Sequence, residues 1–270
     1  MIMAQQESSS KLQFTPIPIF SSNYVWLTQL SGKNEVYITD PGDAEPVLRY
    51  LENHNLIPKG ILITHSHQDH IGGIDRIKAE HPVPVYGPAC GAIPQVDIAL
   101  GESDKLTLWP GVKADIMHLP GHLPEHIAFF ITSEDARHSL LSGDILFSSG
   151  CGRMFTGPAP TYYNSLSRVA ALPEDTEVYG AHEYTLDNIR FASHIEPQNT
   201  DIDRKRLETE RRIRESGCSL PTTIGNELLT NPFLRADRED IKARLASITG
   251  RKPETDTDTF AAIRRLKDVF

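Results

Sequence analysis

The chain has 270 residues, 39% of them apolar and 23% charged, with a net charge of −9; this is comfortable for two domains and fits a soluble globular protein whose core needs no disulfide. The acidic balance argues against broad nucleic-acid binding, no run is apolar and long enough to span a bilayer, and three scattered cysteines, Cys90, Cys151 and Cys218, form neither a disulfide framework nor a zinc ribbon and suit a reducing compartment. Met1 to Ser10 is polar and lacks the apolar core of a signal peptide, so a soluble cytoplasmic protein is expected, with neither nucleic acid nor membrane as partner.

Lys11 to Phe20 alternates loosely around Pro16 and Pro18 and reads as an edge strand. Tyr24 to Leu27 and Glu35 to Ile38 are stronger strands, joined by a hairpin loop over Ser31-Gly32-Lys33-Asn34. Asp40-Pro41-Gly42 turns the chain into a helix over Ala44 to Asn55, with Val47, Leu48 and Leu51 on one face and Pro46 in the first turn. Gly60 to Ile63 is a short buried strand, and apolar residues at 71, 74 and 77 predict a helix over Ile71 to Lys78.

Between that strand and that helix lies Thr64-His65-Ser66-His67-Gln68-Asp69-His70. Alternate side chains of an extended segment point the same way, so His65 and His67 can grip one cation. Asp69 and His70 are neighbours and diverge, which aims them at a second. Alone, Asp69 would read as a helix cap and any one histidine as a satisfied polar group. Three histidines and an aspartate at this spacing read as a site for two first-row metals side by side.

Further along, Val83 to Tyr86, Leu106 to Leu108, Val112 to Met117 and Ile127 to Ile131 read as strands, the last of them central. Ser139 to Phe147 is an apolar stretch interrupted by Asp144, and Thr176 to His182 closes the pattern. Strands with occasional helices predict two sheets with helices outside. His122, Asp144 and His182 each fall where a strand gives way to a turn, so they can meet on one rim. A carboxylate such as Asp144 can serve two cations through its two oxygens, whereas a neutral imidazole offers one lone pair. From about Asp187 the chain becomes helical: Asp201 to Ser216, Glu227 to Leu229, Ile241 to Ile248 and Thr259 to Phe270, with Pro221 and Gly225-Asn226 as punctuation and no strand expected. A boundary near 183 divides a metal-binding catalytic domain, 1–182, from a helical domain, 183–270.

The set His65-x-His67-x-Asp69-His70, His122, Asp144 and His182 resembles the metal signature of the metallo-β-lactamase superfamily. Four further segments resemble glyoxalase II, the hydroxyacylglutathione hydrolases: Ser149-Gly150-Cys151-Gly152-Arg153, Gly180-Ala181-His182-Glu183-Tyr184-Thr185, Asn231-Pro232-Phe233-Leu234-Arg235 and Arg264-Arg265-Leu266-Lys267-Asp268. The likeness runs from about residue 12 to 270. It implies an α/β fold, an αββα sandwich, with a C-terminal helical domain that binds glutathione. It implies that His65, His67 and His122 hold one divalent ion, that Asp69, His70 and His182 hold another, and that Asp144 bridges them, which makes Asp69 and Asp144 catalytic groups. Zinc is expected, with iron and manganese as alternatives.

The activity implied is hydrolysis of the thioester of S-(2-hydroxyacyl)glutathione, chiefly S-D-lactoylglutathione, to D-lactate and glutathione, a step of methylglyoxal detoxification, by a monomer. Two cations about 3.5–4 Å apart can share a hydroxide, because metal binding lowers the pKa of water toward about 7. The leaving thiolate, from a thiol of pKa about 8.5, needs little acid assistance. Arg153, Tyr184, Arg264 and Lys267 are implied as glutathione contacts, although Arg264 and Lys267 alone would read as a solvated helix face. Phe155 stands where some relatives place a Tyr, Thr156 replaces an acid, and Leu123-Pro124-Glu125-His126 replaces the usual Thr-x-Gly-His. Cys151 is not read as the nucleophile, since the hydroxide fills that role. The main alternative, a mononuclear-iron dioxygenase acting on glutathione persulfide, is disfavoured by the segments at 231–235 and 264–268. A nuclease, a β-lactamase and a non-catalytic metal binder fit less well.

Overall fold

The computed structural model describes residues 11–133 and 138–270; the polar N-terminal stretch from Met1 to Ser10 lies outside them. The chain opens with a hairpin of β1 (Leu12–Ile19) and β2 (Asn23–Leu30), followed by antiparallel β3 (Glu35–Thr39). β1 is the sheet edge, which is why Pro16 and Pro18 are tolerated there. From β3 onward the strands run parallel, and parallel neighbours need crossovers. α1 (Ala44–His54) supplies the first, burying Val47, Leu48 and Leu51, capped by Asp43 at its start and by Asn55 in the left-handed region at its end. β4 (Ile57–Leu62) lies beside β3.

The single helix expected over 71–78 is two, α2 (Gln68–Ile71) and α3 (Ile74–Glu80). The break is at Gly72-Gly73. The Gly73 amide donates to Pro41 O at 2.7 Å, and a Cβ there would lie 2.6 Å from that oxygen. β5 (Val85–Pro88) and β6 (Ile98–Leu100) complete the first six-stranded sheet, in the order β1 to β6. β6 was not foreseen, because three residues, two of them exposed, are too few to show a strand period.

The second sheet is a meander of β7 (Lys105–Trp109), β8 (Val112–His118), β9 (Ile127–Ser133) and β10 (His138–Gly143). α4 (Ala159–Ala170) then crosses to β11 (Glu177–Gly180), parallel to β10. The helices α5 (Thr185–Ile195) and α6 (Thr200–Ser216) follow. Contrary to expectation, a strand does occur in the last third: β12 (Thr222–Thr223) pairs with β11 and forms the edge of the second sheet. Two residues are too few to leave a periodic signal. α7 (Ile224–Thr230), α8 (Glu239–Thr249) and α9 (Asp256–Val269) end the chain.

Three apolar cores make the layers. One packs α1 and α3 on the outer face of the first sheet, through Val47, Leu51, Ile61 and Ile77. One lies between the sheets, around Trp26, Tyr37, Trp109 and Phe129, and Trp26 Nε1 donates across it to Gly180 O at 2.9 Å. The third joins Leu140 and Val178 to Tyr162 of α4, to Phe191 and Phe260 of the C-terminal helices and to Phe233 in the turn after α7. The order helix–sheet–sheet–helix is the αββα sandwich expected, and residues on both sides of position 183 share one core. Among the described residues no helix is long and apolar enough to cross a membrane.

Candidate metal centre

The ends of β2, β4, β10 and β11 and the loop after β8 meet at one rim. There the structure brings together all seven side chains singled out as ligands, in two groups: His65, His67, His122 and Asp144, and Asp69, His70 and His182. In the first group His67 Nδ1 lies 3.1 Å from His65 Nε2 and 3.0 Å from His122 Nε2, which is 3.4 Å from Asp144 Oδ2. In the second, Asp69 Oδ2 is 3.6 Å from both His70 Nε2 and His182 Nε2. Those two nitrogens lie 3.5 and 3.4 Å from the other Asp144 oxygen, Oδ1. Asp144 thus offers one oxygen to each group.

Hydrogen bonding alone does not explain these approaches. The Thr64 hydroxyl donates to Asp40 Oδ2 at 2.7 Å, so at 3.0 Å it accepts from His65 Nδ1. His70 Nδ1 donates to Asp40 Oδ2 at 3.0 Å, and His122 Nδ1 donates to Arg153 O at 2.8 Å. A neutral imidazole has one N–H, so the Nε2 atoms of His65, His70 and His122 face inward as bare lone pairs. Among the described residues, His70 Nε2 and Asp144 Oδ1 are buried with no hydrogen-bond partner. Ligand bonds of about 2.1 Å give edges of about 3.0 Å in an octahedron and about 3.4 Å in a tetrahedron. The separations observed match that scale, so the residues present fit metal ions.

The charges agree. Burial pushes the Asp144 carboxyl up, but His70 and His182 outweigh it and hold it well below the usual carboxylate range. Burial disfavours charge on His70, yet Asp144, Asp40 and Asp69 together raise it to about 9. The pull those carboxylates exert on a proton at Nε2 is the pull they would exert on a cation. Burial lowers His65 and His122, whose outer partners are neutral.

The expected substrate residues are spread more widely. The Tyr184 ring stacks on His182, centroids 4.6 Å apart, with its hydroxyl pushed up by burial against the opposing pull of a hydrogen bond with Ser22. Arg153 is exposed on the loop after Asp144. Phe155, on the same loop, sets its exposed ring against His67 and His122 at 5.1 and 5.2 Å. Lys267 is half-buried against Phe191 and Phe270, 5.3 and 5.7 Å from their ring centres, and its ammonium reaches Asp187 O at 3.3 Å. Arg264 is not on a solvated face: only 3% exposed, it donates to Cys151 O at 3.0 Å and Gly152 O at 3.3 Å and bonds Asp268. Cys151 is buried, and burial raises its thiol pKa.

Residues 183–270 match the family model described as hydroxyacylglutathione hydrolase C-terminus, and residues 18–91 match that of the metallo-beta-lactamase superfamily. A hydroxyacylglutathione hydrolase of Pseudomonas putida (strain GB-1) is 45% identical over 260 residues, covering 96% of this chain and 100% of that protein. This chain belongs to the hydroxyacylglutathione hydrolase family. Among solved structures, the B3 metallo-beta-lactamase BLEG-1 has the same fold, with a TM-score of 0.59 at 24% identity over 83% of this chain and 99% of that one. A protein crystallised in a di-iron-bound form superimposes with a TM-score of 0.57 at 27% identity, over 82% of this chain and 100% of that one.

Within this member of the family, the segment Asn231 to Arg235 has a supporting place. Asn231 Nδ2 donates to Gly150 O at 3.0 Å and to Glu227 Oε2 at 2.9 Å. Glu227, fully buried, takes the Ser149 amide at 2.7 Å and pairs with Lys205. Arg235 pairs with Glu196 at 2.8 Å. The bonds of Asn231 and Glu227 clamp the loop that leaves Asp144.

Three residues of the site escaped the sequence reading. Asp40, taken as a turn residue, holds both Thr64 and His70. Asn23 donates to Asp69 Oδ2 at 2.8 Å. His126, buried, accepts the Asp144 amide on Nε2 at 3.1 Å. Only His126 left a trace, as a second histidine four positions after His122.

Proposed function

We propose that this chain hydrolyses the thioester of S-(2-hydroxyacyl)glutathione, chiefly S-D-lactoylglutathione: water adds to the carbonyl carbon, the C–S bond breaks, and a 2-hydroxy acid and glutathione leave. The observation that carries this is the convergence of seven metal-capable side chains on one rim in a member of a thioester-hydrolase family. His65, His67 and His122 would hold one divalent ion and Asp69, His70 and His182 another, with Asp144 between them. Two such ions, zinc or else iron or manganese, supply Lewis acidity and a water deprotonated near neutral pH.

The chain's own groups do the rest. Asp40, Thr64 and the Arg153 carbonyl keep protons on the outer nitrogens of His70, His65 and His122, leaving the inner lone pairs free. Asn23 orients Asp69. Arg153, Tyr184 and Lys267 give the glutathione moiety cationic and hydroxyl partners for its two carboxylates. Arg264 serves the same moiety indirectly, by fixing the 151–153 loop. Residues 1–182 form the catalytic domain and 183–270 the glutathione-binding domain of a cytoplasmic monomer.

The test is thiol release from S-D-lactoylglutathione, with metal content measured on the same sample. Release by protein carrying two metals per chain is expected. Metal-loaded protein that releases no thiol, or that consumes oxygen with glutathione persulfide instead, sinks the proposal.

A further inference from the structure

Of the five histidines in the candidate centre, four are braced from behind. His65 has Thr64, His70 has Asp40, His122 has the Arg153 carbonyl, and His182 has the Ser22 hydroxyl at 3.3 Å. His67 has no outer hydrogen bond among the described residues; its ring meets only His65, His122 and the exposed Phe155. The backbone from His65 to His67 belongs to neither strand nor helix, and the side chain of His67 makes no capping bond to α2. A ligand on an unsupported segment of this kind would be the loosest of the set.

The brace is one residue away. Ser66 Oγ donates to Glu125 Oε1 at 2.6 Å, and both groups are partly buried. A hydrogen bond to a carboxylate of that length is of the strong, charge-assisted kind. Glu125 is itself well anchored. Ile127 N donates to Thr64 O at 2.9 Å, the neighbouring His126 takes the Asp144 amide, and His118 Nε2 reaches Pro124 O at 2.7 Å. The turn is tight because Gly121, with φ of +158°, would place a Cβ 2.3 Å from the Tyr162 ring.

We infer that Glu125 is a positioning residue for the metal centre, gripping Ser66 and thereby holding His67 in place for the ion shared with His65 and His122. The inference rests on the metal reading given above.

The test measures metal, not turnover. Native protein, Ser66→Ala, Glu125→Ala, the double variant and Glu125→Gln are loaded with zinc and titrated with a competing chelator. Unfolding midpoints are recorded in parallel. Native protein should hold two ions per chain. Ser66→Ala and Glu125→Ala should each weaken one of the two by roughly tenfold, the low end for loss of an outer partner. The double variant should be no weaker than either single one, because both remove the same bond. Glu125→Gln keeps an acceptor oxygen and should restore most of the affinity.

If both alanine variants retain two ions at native affinity, the inference is overturned. It is also overturned if Glu125→Gln is as weak as Glu125→Ala, or if metal loss only tracks a fall in the unfolding midpoint. Native protein that binds no metal would overturn the metal reading and this inference together. Native protein that binds two ions yet releases no thiol from lactoylglutathione would sink the proposed reaction and leave Glu125 in its role.

Discussion

The two halves of the candidate centre draw on the same two residue types, histidine and aspartate, but are backed by different charges. Behind His65 and His122 stand a hydroxyl and a backbone carbonyl, both neutral. Behind His70 stands the Asp40 carboxylate, and beside it Asp69, itself oriented by Asn23. The electrostatics follow: burial lowers His65 and His122, whereas the carboxylates around His70 raise it to about 9. Only Asp144 is common to both halves. The candidate centre is therefore asymmetric, with more negative charge around the half that contains Asp69. When ions are withdrawn stepwise by a chelator, the one held by His65, His67 and His122 is expected to leave first.

The largest effect should come from the shared residue. Asp144→Ala removes an oxygen from each half, so both ions should be lost and thiol release should fall by more than about a hundredfold, beyond the cost of losing any outer partner. Metal analysis with a turnover assay checks it; a variant that keeps both ions and full turnover would show that the halves do not share this carboxylate. Asp40→Ala tests the asymmetry itself. It strips the His70 half of its backing charge directly and loosens His65 only at one remove, through Thr64, so metal affinity in the His70 half should fall the more, about 10–100-fold. The order of release by chelator should then reverse. An unchanged order would mean that the outer carboxylate does not set the difference.

The legibility of the site divides along the same line. The convergence of the candidate ligands could be read from the chain because their chemistry is local: four of the seven lie within 65–70, Asp144 and His182 follow strands, and His122 lies in the loop after β8. Their backing could not. Asp40 looks like any residue of an Asp-Pro-Gly turn, and its carboxylate matters only because β3 and β4 are parallel neighbours that bring Thr64 beside it. Asn23 begins a strand, and nothing in the residues around it points to Asp69, 46 positions away. The sandwich was legible because long apolar strands carry a period, while β6 and β12 were too exposed or too short to show one. Arg264, expected as a glutathione contact and taken alone as part of a solvated helix face, is buried, and a signal of that burial was present. It follows Ile263 and lies four residues after Phe260, inside the buried stripe of α9, and a cation in such a stripe needs carbonyl or carboxylate partners.

That placement separates Arg264 from the rest of the substrate rim, in the way that backing separates the two halves of the centre. Arg264→Ala would leave the Cys151 and Gly152 carbonyls without their buried donor. A loss of about 1.5–3 kcal/mol in unfolding free energy is expected, the range for hydrogen bonds to a charged group. Denaturant unfolding measures it, and an unchanged midpoint would mean that the guanidinium is not a structural clamp.

Arg153→Ala should do the reverse and have the smaller effect. Its side chain is exposed, so the unfolding free energy should stay within about 0.5 kcal/mol of native. If the guanidinium meets a glutathione carboxylate, KM for S-D-lactoylglutathione should rise about tenfold, equivalent to about 1.4 kcal/mol of binding, with both ions retained. The same substitution should leave KM unchanged for a thioester whose thiol lacks carboxylates. A rise of equal size for both thioesters would trace the effect to the His122–Arg153 carbonyl bond, and would move Arg153 from the substrate rim to the support of the metal centre.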